Sequence, residues 1–165
     1  MVLAVATISW IALVSWIATA GGGFVMLAIW FARGGMRQRE RGRIRRELIL
    51  SHFLLAATGL VIWIIYLAAD KEALAWIALA ILGLVAALGF TMFFIWAAQR
   101  QGRMAAAAPN PPAGTGAAPA AEATAGGPGS PAEQHFPVSI VALHGLLAVA
   151  TVILVLLAAI GVGES

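Results

Sequence analysis

The chain has 165 residues, 62% of them hydrophobic and only 10% charged, with a net charge of +3 and no cysteine. A water-facing surface needs about 25% charged residues, so the solvent of this chain is largely lipid; the absence of cysteine excludes disulfides, thiolate nucleophiles, iron–sulfur clusters and Cys-based zinc sites. Nucleic acid is not a predicted partner, because seven of the ten basic residues crowd into one short loop between apolar segments, a pattern of membrane orientation.

The first apolar segment, about 2–32, carries no charge and exceeds the roughly 20 residues that a membrane span needs. No basic region precedes it, and its apolar run is longer than the core of a cleaved signal peptide, so it reads as a retained span. A basic loop, 33–47, follows with Arg33, Arg37, Arg39, Arg41, Arg43, Arg45 and Arg46. Short basic loops stay on the cytoplasmic side, which predicts an extracytoplasmic N-terminus.

The second span is predicted over about 48–69 and the third over 73–98, joined by Asp70-Lys71-Glu72. So short a turn makes them antiparallel neighbours. The third span leaves at Arg100 and Arg103, again basic and again cytoplasmic by the same rule. Residues 104–135, rich in Ala, Pro and Gly, hold too little large apolar surface to offset the entropy of ordering and read as a disordered cytoplasmic linker. The last segment, 136–165, holds a fourth span over about 138–162, with Pro137 suited to a helix start and an extracytoplasmic C-terminus.

Trp10, Trp16, Trp30, Trp63, Tyr66, Trp76 and Trp96 fall mostly toward span ends, as anchoring aromatic belts do, with Trp16 deeper. Gly21-Gly22-Gly23 lacks the strand and the Lys-Ser/Thr of a phosphate loop and reads as close packing or a kink. Gly83 and Ala87 have the spacing of a helix interface and Gly89 adds a further close contact, within the bundle or in a dimer.

No Asp, Glu, Lys or Arg lies inside the apolar core of a span, which removes proton-relay schemes built on buried carboxylates. Two ionisable groups remain there, His52 and His144; His135 sits just before the fourth span. His52 lies six residues after Arg46 and His144 seven after Pro137, which is about 9 and 10 Å along two parallel helices. Both imidazoles are therefore predicted at one depth, toward the arginine side. Helical spacing places Ala56, Gly59 and Trp63 on the His52 stripe, and Ala148, Thr151 and Val155 on the His144 stripe.

Three readings of the pair stand. The histidines glue the bundle, each bonded to Ser51, Ser139, a backbone carbonyl or the other ring. Alternatively they are the axial ligands of one b-type haem, with Arg45 and Arg46 on its propionates. Or they bind copper or zinc, for which two histidines alone are a thin ligand set.

The segments SHFLLAATG and ALHGLLAVAT resemble the haem-carrying helices of cytochrome b561 and related membrane cytochromes, over the second to fourth spans. That group often holds two haems on four histidines; with two available here, the resemblance implies one haem b. In its Ala, Gly and Arg usage the chain is also similar to small four-span membrane proteins of high-GC bacteria, which implies a membrane location; the cell membrane expected is the bacterial inner membrane.

The sequence thus predicts an all-α, polytopic four-transmembrane-helix bundle. It leaves the specific role of this integral membrane protein open, between b-type haem-binding electron transfer with bis-histidine ligation and, as the alternative, a non-catalytic helper or scaffold subunit of a larger membrane complex. The partners expected are the lipid bilayer and either other membrane proteins or further copies of this chain.

Overall fold

The computed structural model describes residues 2–37, 44–106 and 130–161, with side chains from residue 7 onward. Four long helices form it: α1 (Val2–Ala32), α2 (Arg46–Ala69), α3 (Glu72–Ala106) and α4 (Val138–Ala159), plus a single 3-10 turn, Ala132–His135. No strand occurs among the described residues. All four helices are long and apolar enough to cross a membrane. Their outward faces agree: Val14 on α1, Leu54 on α2, Leu84 on α3 and Leu146 on α4 are all well exposed. A contiguous apolar surface of that kind requires a non-aqueous neighbour.

The helix ends follow local chemistry. α1 closes on Gly34 at φ +75°, with Gly34 N–H on the Phe31 carbonyl and Gly35 N–H on that of Trp30, a Schellman ending that needs a residue tolerant of positive φ. α2 ends on Asp70 at φ 50°, whose N–H caps the Tyr66 carbonyl, and α3 begins two residues later. Pro137 precedes α4 in extended geometry, and its carbonyl accepts the amides of Ile140 and Val141.

α1 packs most extensively on α4, and α2 on α3, while α1–α2 and α3–α4 touch less. The diagonal pairs α1–α3 and α2–α4 have no close backbone approach. The helices therefore run around a ring in chain order, as two tight antiparallel pairs facing each other across a looser seam.

Two sealed layers cross the ring. At the end bearing the Asp70 turn, Ala12, Trp16, Trp63, Tyr66, Ala78, Leu82 and Val155 form the main core. The Trp16 and Trp63 ring centres are 6.5 Å apart, and the Trp63 indole N–H donates to the Ser9 carbonyl at 3.3 Å. At the opposite, arginine-bearing end, Trp30, Ile44, Trp96, Gln99, Ala132 and Glu133 are buried together.

Several expectations change here. α3 runs on to Ala106, past the predicted end at 98, and so takes in the first residues of the region read as linker. The other end of that region is ordered too: the 3-10 turn packs on α1 and α3 and buries Glu133. Residues 107–129, together with Arg39, Arg41 and Arg43, lie outside the described residues. The aromatic belt is smaller than predicted. Trp10 and Trp76 face outward, but Trp16, Trp30, Trp63, Tyr66 and Trp96 are core residues. Gly83 faces outward with nothing near it, so it is not an interface within this bundle.

Candidate functional site

Between the two sealed layers lies a stretch in which no described residue is fully buried. It runs between Trp16 and Trp30 on α1, Ile44 and Gly59 on α2, Val85 and Trp96 on α3, and Glu133 and Thr151 on α4. The gap is about 15–20 Å of helix. His52 and His144 both lie in it.

The predicted match in depth holds. α2 and α4 stand diagonally across the ring, and their imidazoles meet over its centre with ring centres 6.4 Å apart and planes at 60°. The predicted stripes hold as well: Gly59 and Trp63 continue the His52 face into the core, and Thr151 and Val155 continue that of His144.

Neither ring bonds to Ser51 or Ser139. His52 Nδ1 lies 3.1 Å from the Val85 carbonyl on α3, and His144 Nδ1 lies 2.9 Å from the Thr19 carbonyl on α1. A carbonyl only accepts, so each Nδ1 carries the proton. Each Nε2 then holds a lone pair, and no hydrogen bond to it is formed among the described residues. A metal-ligating histidine commonly has this arrangement, one nitrogen free and the other donating to a carbonyl.

A hydroxyl cluster borders the layer on the main-core side. Ser15 Oγ and Thr151 Oγ1 are 2.8 Å apart, and Thr19 Oγ1 lies 3.2 Å from Thr151 Oγ1 while donating to the Ser15 carbonyl. On the other side Phe24 of α1 meets Phe53 of α2 edge to face at 5.2 Å, spanning the looser seam.

Arg45 and Arg46 stand at the start of α2, both engaged by Glu47. Arg46 Nε is 3.0 Å from its carboxylate, and the largely exposed Arg45 is 3.9 Å away. Glu47 was not considered as their partner on sequence grounds, although it is their immediate neighbour. His135 closes the 3-10 turn at the arginine end, outside the histidine layer.

Sequence reasoning missed the two carbonyls. Residue 52 precedes Asp70 by about as many residues as Gly89 follows Glu72, so folding the chain back at the 70–72 turn was enough to set His52 against the Val85–Gly89 stretch. Nothing comparable located Thr19, because no short turn joins α1 to α4; two other helices and residues 107–129 lie between them in the chain. Also missed was the buried cluster at the arginine end, where Glu133 Oε1 accepts the Ile44 amide at 3.4 Å and the Gln99 side chain at 3.5 Å.

Among the described residues no group of three or more His, Asp or Glu side chains converges on a common point. A bare metal ion would find two protein ligands here, fewer than zinc or copper sites usually hold. Compared with known proteins, the chain matches no family model, no curated protein and no solved structure.

Proposed function

We propose that this is a multi-pass protein of the bacterial inner membrane that holds a single b-type haem between His52 and His144 and passes electrons through it. The observation that carries the reading is the pair of Nδ1-anchored imidazoles brought together across the diagonal of the bundle, 6.4 Å between ring centres. Two nitrogens about 2 Å from a shared metal, each about 1.1 Å from its own ring centre, put the centres about 6.3 Å apart. Haem brings four of its own donors and asks the protein for two on opposite sides, which is the number available here.

Bound haem supplies one-electron redox chemistry. His52 and His144 would supply the nitrogens that hold it, the Val85 and Thr19 carbonyls would orient those rings, and the apolar helices around them would exclude water. In this reading the arginine end faces the cytoplasm and both termini face out, following the charge of the 33–47 loop and of Arg100 and Arg103. Arg45 and Arg46 would reach propionates only by leaving Glu47.

The test is a reduced-minus-oxidised spectrum of protein purified from haem-replete cells. A Soret and α-band that vanish in His52→Ala/His144→Ala supports the assignment. Absence of bands in the wild type, or their survival in the double variant, overturns it and leaves the helper or scaffold role. A stable partner in a crosslinking pull-down would then support that role.

A further inference from the structure

We infer that Gly89 and Gly23 are positioning residues that unmask one backbone carbonyl each and thereby fix His52 and His144 as Nδ1–H tautomers. The same construction occurs twice. The Val85 carbonyl receives His52, and Gly89 lies four residues on; the Thr19 carbonyl receives His144, and Gly23 lies four residues on.

The interval of four has a physical meaning. In an α-helix the carbonyl of residue i accepts the amide of i+4. The Cα–Cβ bond tilts back toward the N-terminus, so the side chain at i+4 covers the turn that contains that carbonyl. Glycine at i+4 removes the cover, and the second lone pair of the oxygen becomes reachable from a neighbouring helix.

Both imidazoles use that opening. A Cβ built on Gly89 would sit 3.2 Å from His52 Cε1, and one on Gly23 would sit 3.3 Å from His144 Cε1. These contacts are tight enough that the ring must retreat by a few tenths of an ångström. Gly21, Gly83 and Gly145 have nothing within 4 Å of such a Cβ, Gly59 meets Trp16 and Ile81 instead, and Gly22 meets His144 at an ordinary 3.4 Å; among the described glycines, Gly89 and Gly23 are the ones whose Cβ would crowd an imidazole more closely than that. For His52, whose bond is already 3.1 Å long, a few tenths more reaches the limit of a hydrogen bond, roughly 3.2–3.5 Å. Without its acceptor, Nδ1 has no reason to keep the proton, and Nε2 loses its claim to the lone pair.

The effect on the tautomer stands alone; the effect on a ligand rests on the haem reading. The experiment separates them. Full-length protein with 15N-labelled histidine is prepared in nanodiscs without added haem, and its ring nitrogens are assigned with His52→Gln, His135→Gln and His144→Gln. The wild type shows Nδ1–H tautomers at residues 52 and 144. Gly89→Ala converts His52 to a mixed or Nε2–H form and leaves His144 unchanged; Gly23→Ala does the reverse; Gly83→Ala and Gly21→Ala change neither. An Nε2–H tautomer in the wild type overturns the inference even if no variant folds, and so does an unchanged tautomer in a folded Gly89→Ala or Gly23→Ala protein.

Haem titration of the same samples then reads the consequence. Supporting residues around a metal ligand are typically worth 10–100-fold in affinity, so each seat variant loses at least about tenfold. A wild type that takes up no haem removes the haem reading and leaves the tautomer result to judge the seats. A wild type that binds, with seat variants binding equally well, overturns the positioning role.

Discussion

Thr19 holds His144 through its carbonyl at 2.9 Å while its hydroxyl packs against Thr151, which lies on the helix of His144 itself. With the 2.8 Å contact of Ser15 and Thr151, this staples α1 to α4 around one imidazole. His52 is held on α3 by a single longer bond of 3.1 Å and has no comparable hydroxyl support among the described residues. The two halves of the site are alike in plan and unequal in bracing.

The first prediction follows from what each histidine does for the fold. An interhelical side-chain bond in a membrane bundle contributes about 0.6 kcal/mol on average, and the Val85 and Thr19 carbonyls keep their own helical amides when the imidazole is gone. His52→Ala and His144→Ala should therefore each lower stability by less than about 1 kcal/mol, while abolishing the cofactor spectrum. Denaturation in mixed micelles beside absorption spectroscopy checks both at once. A loss well beyond that figure, with no cofactor signal in the wild type, would show the rings to be glue.

Packing in the main core gives the second. A Cβ on Gly59 would lie 3.0 Å from Trp16 Cζ2, a buried core residue, and 3.2 Å from Ile81 Cγ2. Overpacking of this kind costs about 1–3 kcal/mol, so Gly59→Ala should unfold measurably earlier than the wild type. Gly145→Ala, with nothing within 4 Å, should be indistinguishable from it. Equal stability of the two variants would refute the account of how Trp16 is seated.

How much of this was legible beforehand depended on which force wrote the signal. Span positions were readable because a lipid solvent imposes long uncharged runs, and α1 matches its expected limits of 2 and 32. The common depth of His52 and His144 was readable from helix rise alone. The direction in which tryptophans point was not: a belt indole and a core indole have the same composition signal, and only packing turned Trp30 and Trp96 inward. Glu133 was unreadable for a related reason. It sits in an Ala/Pro/Gly-rich run whose average argues for disorder, yet one turn of it finds Ile44 and Gln99 and is buried.

That buried turn yields the third prediction. Glu133 is 1% exposed, and its Oε1 receives the Ile44 amide and the Gln99 side chain, tying the basic loop and α3 to the segment before α4. Glu133→Ala strands both donors in a buried layer. Unsatisfied buried donors cost about 1–3 kcal/mol each, so the variant should lose stability in that range and expose the arginine end to limited proteolysis. Glu133→Gln keeps a carbonyl oxygen in place and should retain most of the wild-type resistance. If Glu133→Ala resists protease as well as the wild type does, the turn is not a fastening.

The last prediction concerns orientation, and the chain suits the measurement because it has no native cysteine. The arginines at the two basic exits make a consistent demand: basic residues next to spans resist translocation, and Arg33, Arg37, Arg100 and Arg103 all flank one end of the bundle. The Asp70–Glu72 turn at the other end carries a single lysine among acidic groups, so it opposes translocation far less. Lys71→Cys should therefore react with a membrane-impermeant maleimide added to intact spheroplasts, and Thr115→Cys should not. Inverted vesicles should exchange the two results. Because a single introduced thiol is the sole target, labelling of Thr115→Cys from outside would reverse the proposed topology and move the histidine layer to the outer leaflet, where any electron donor would have to be sought instead.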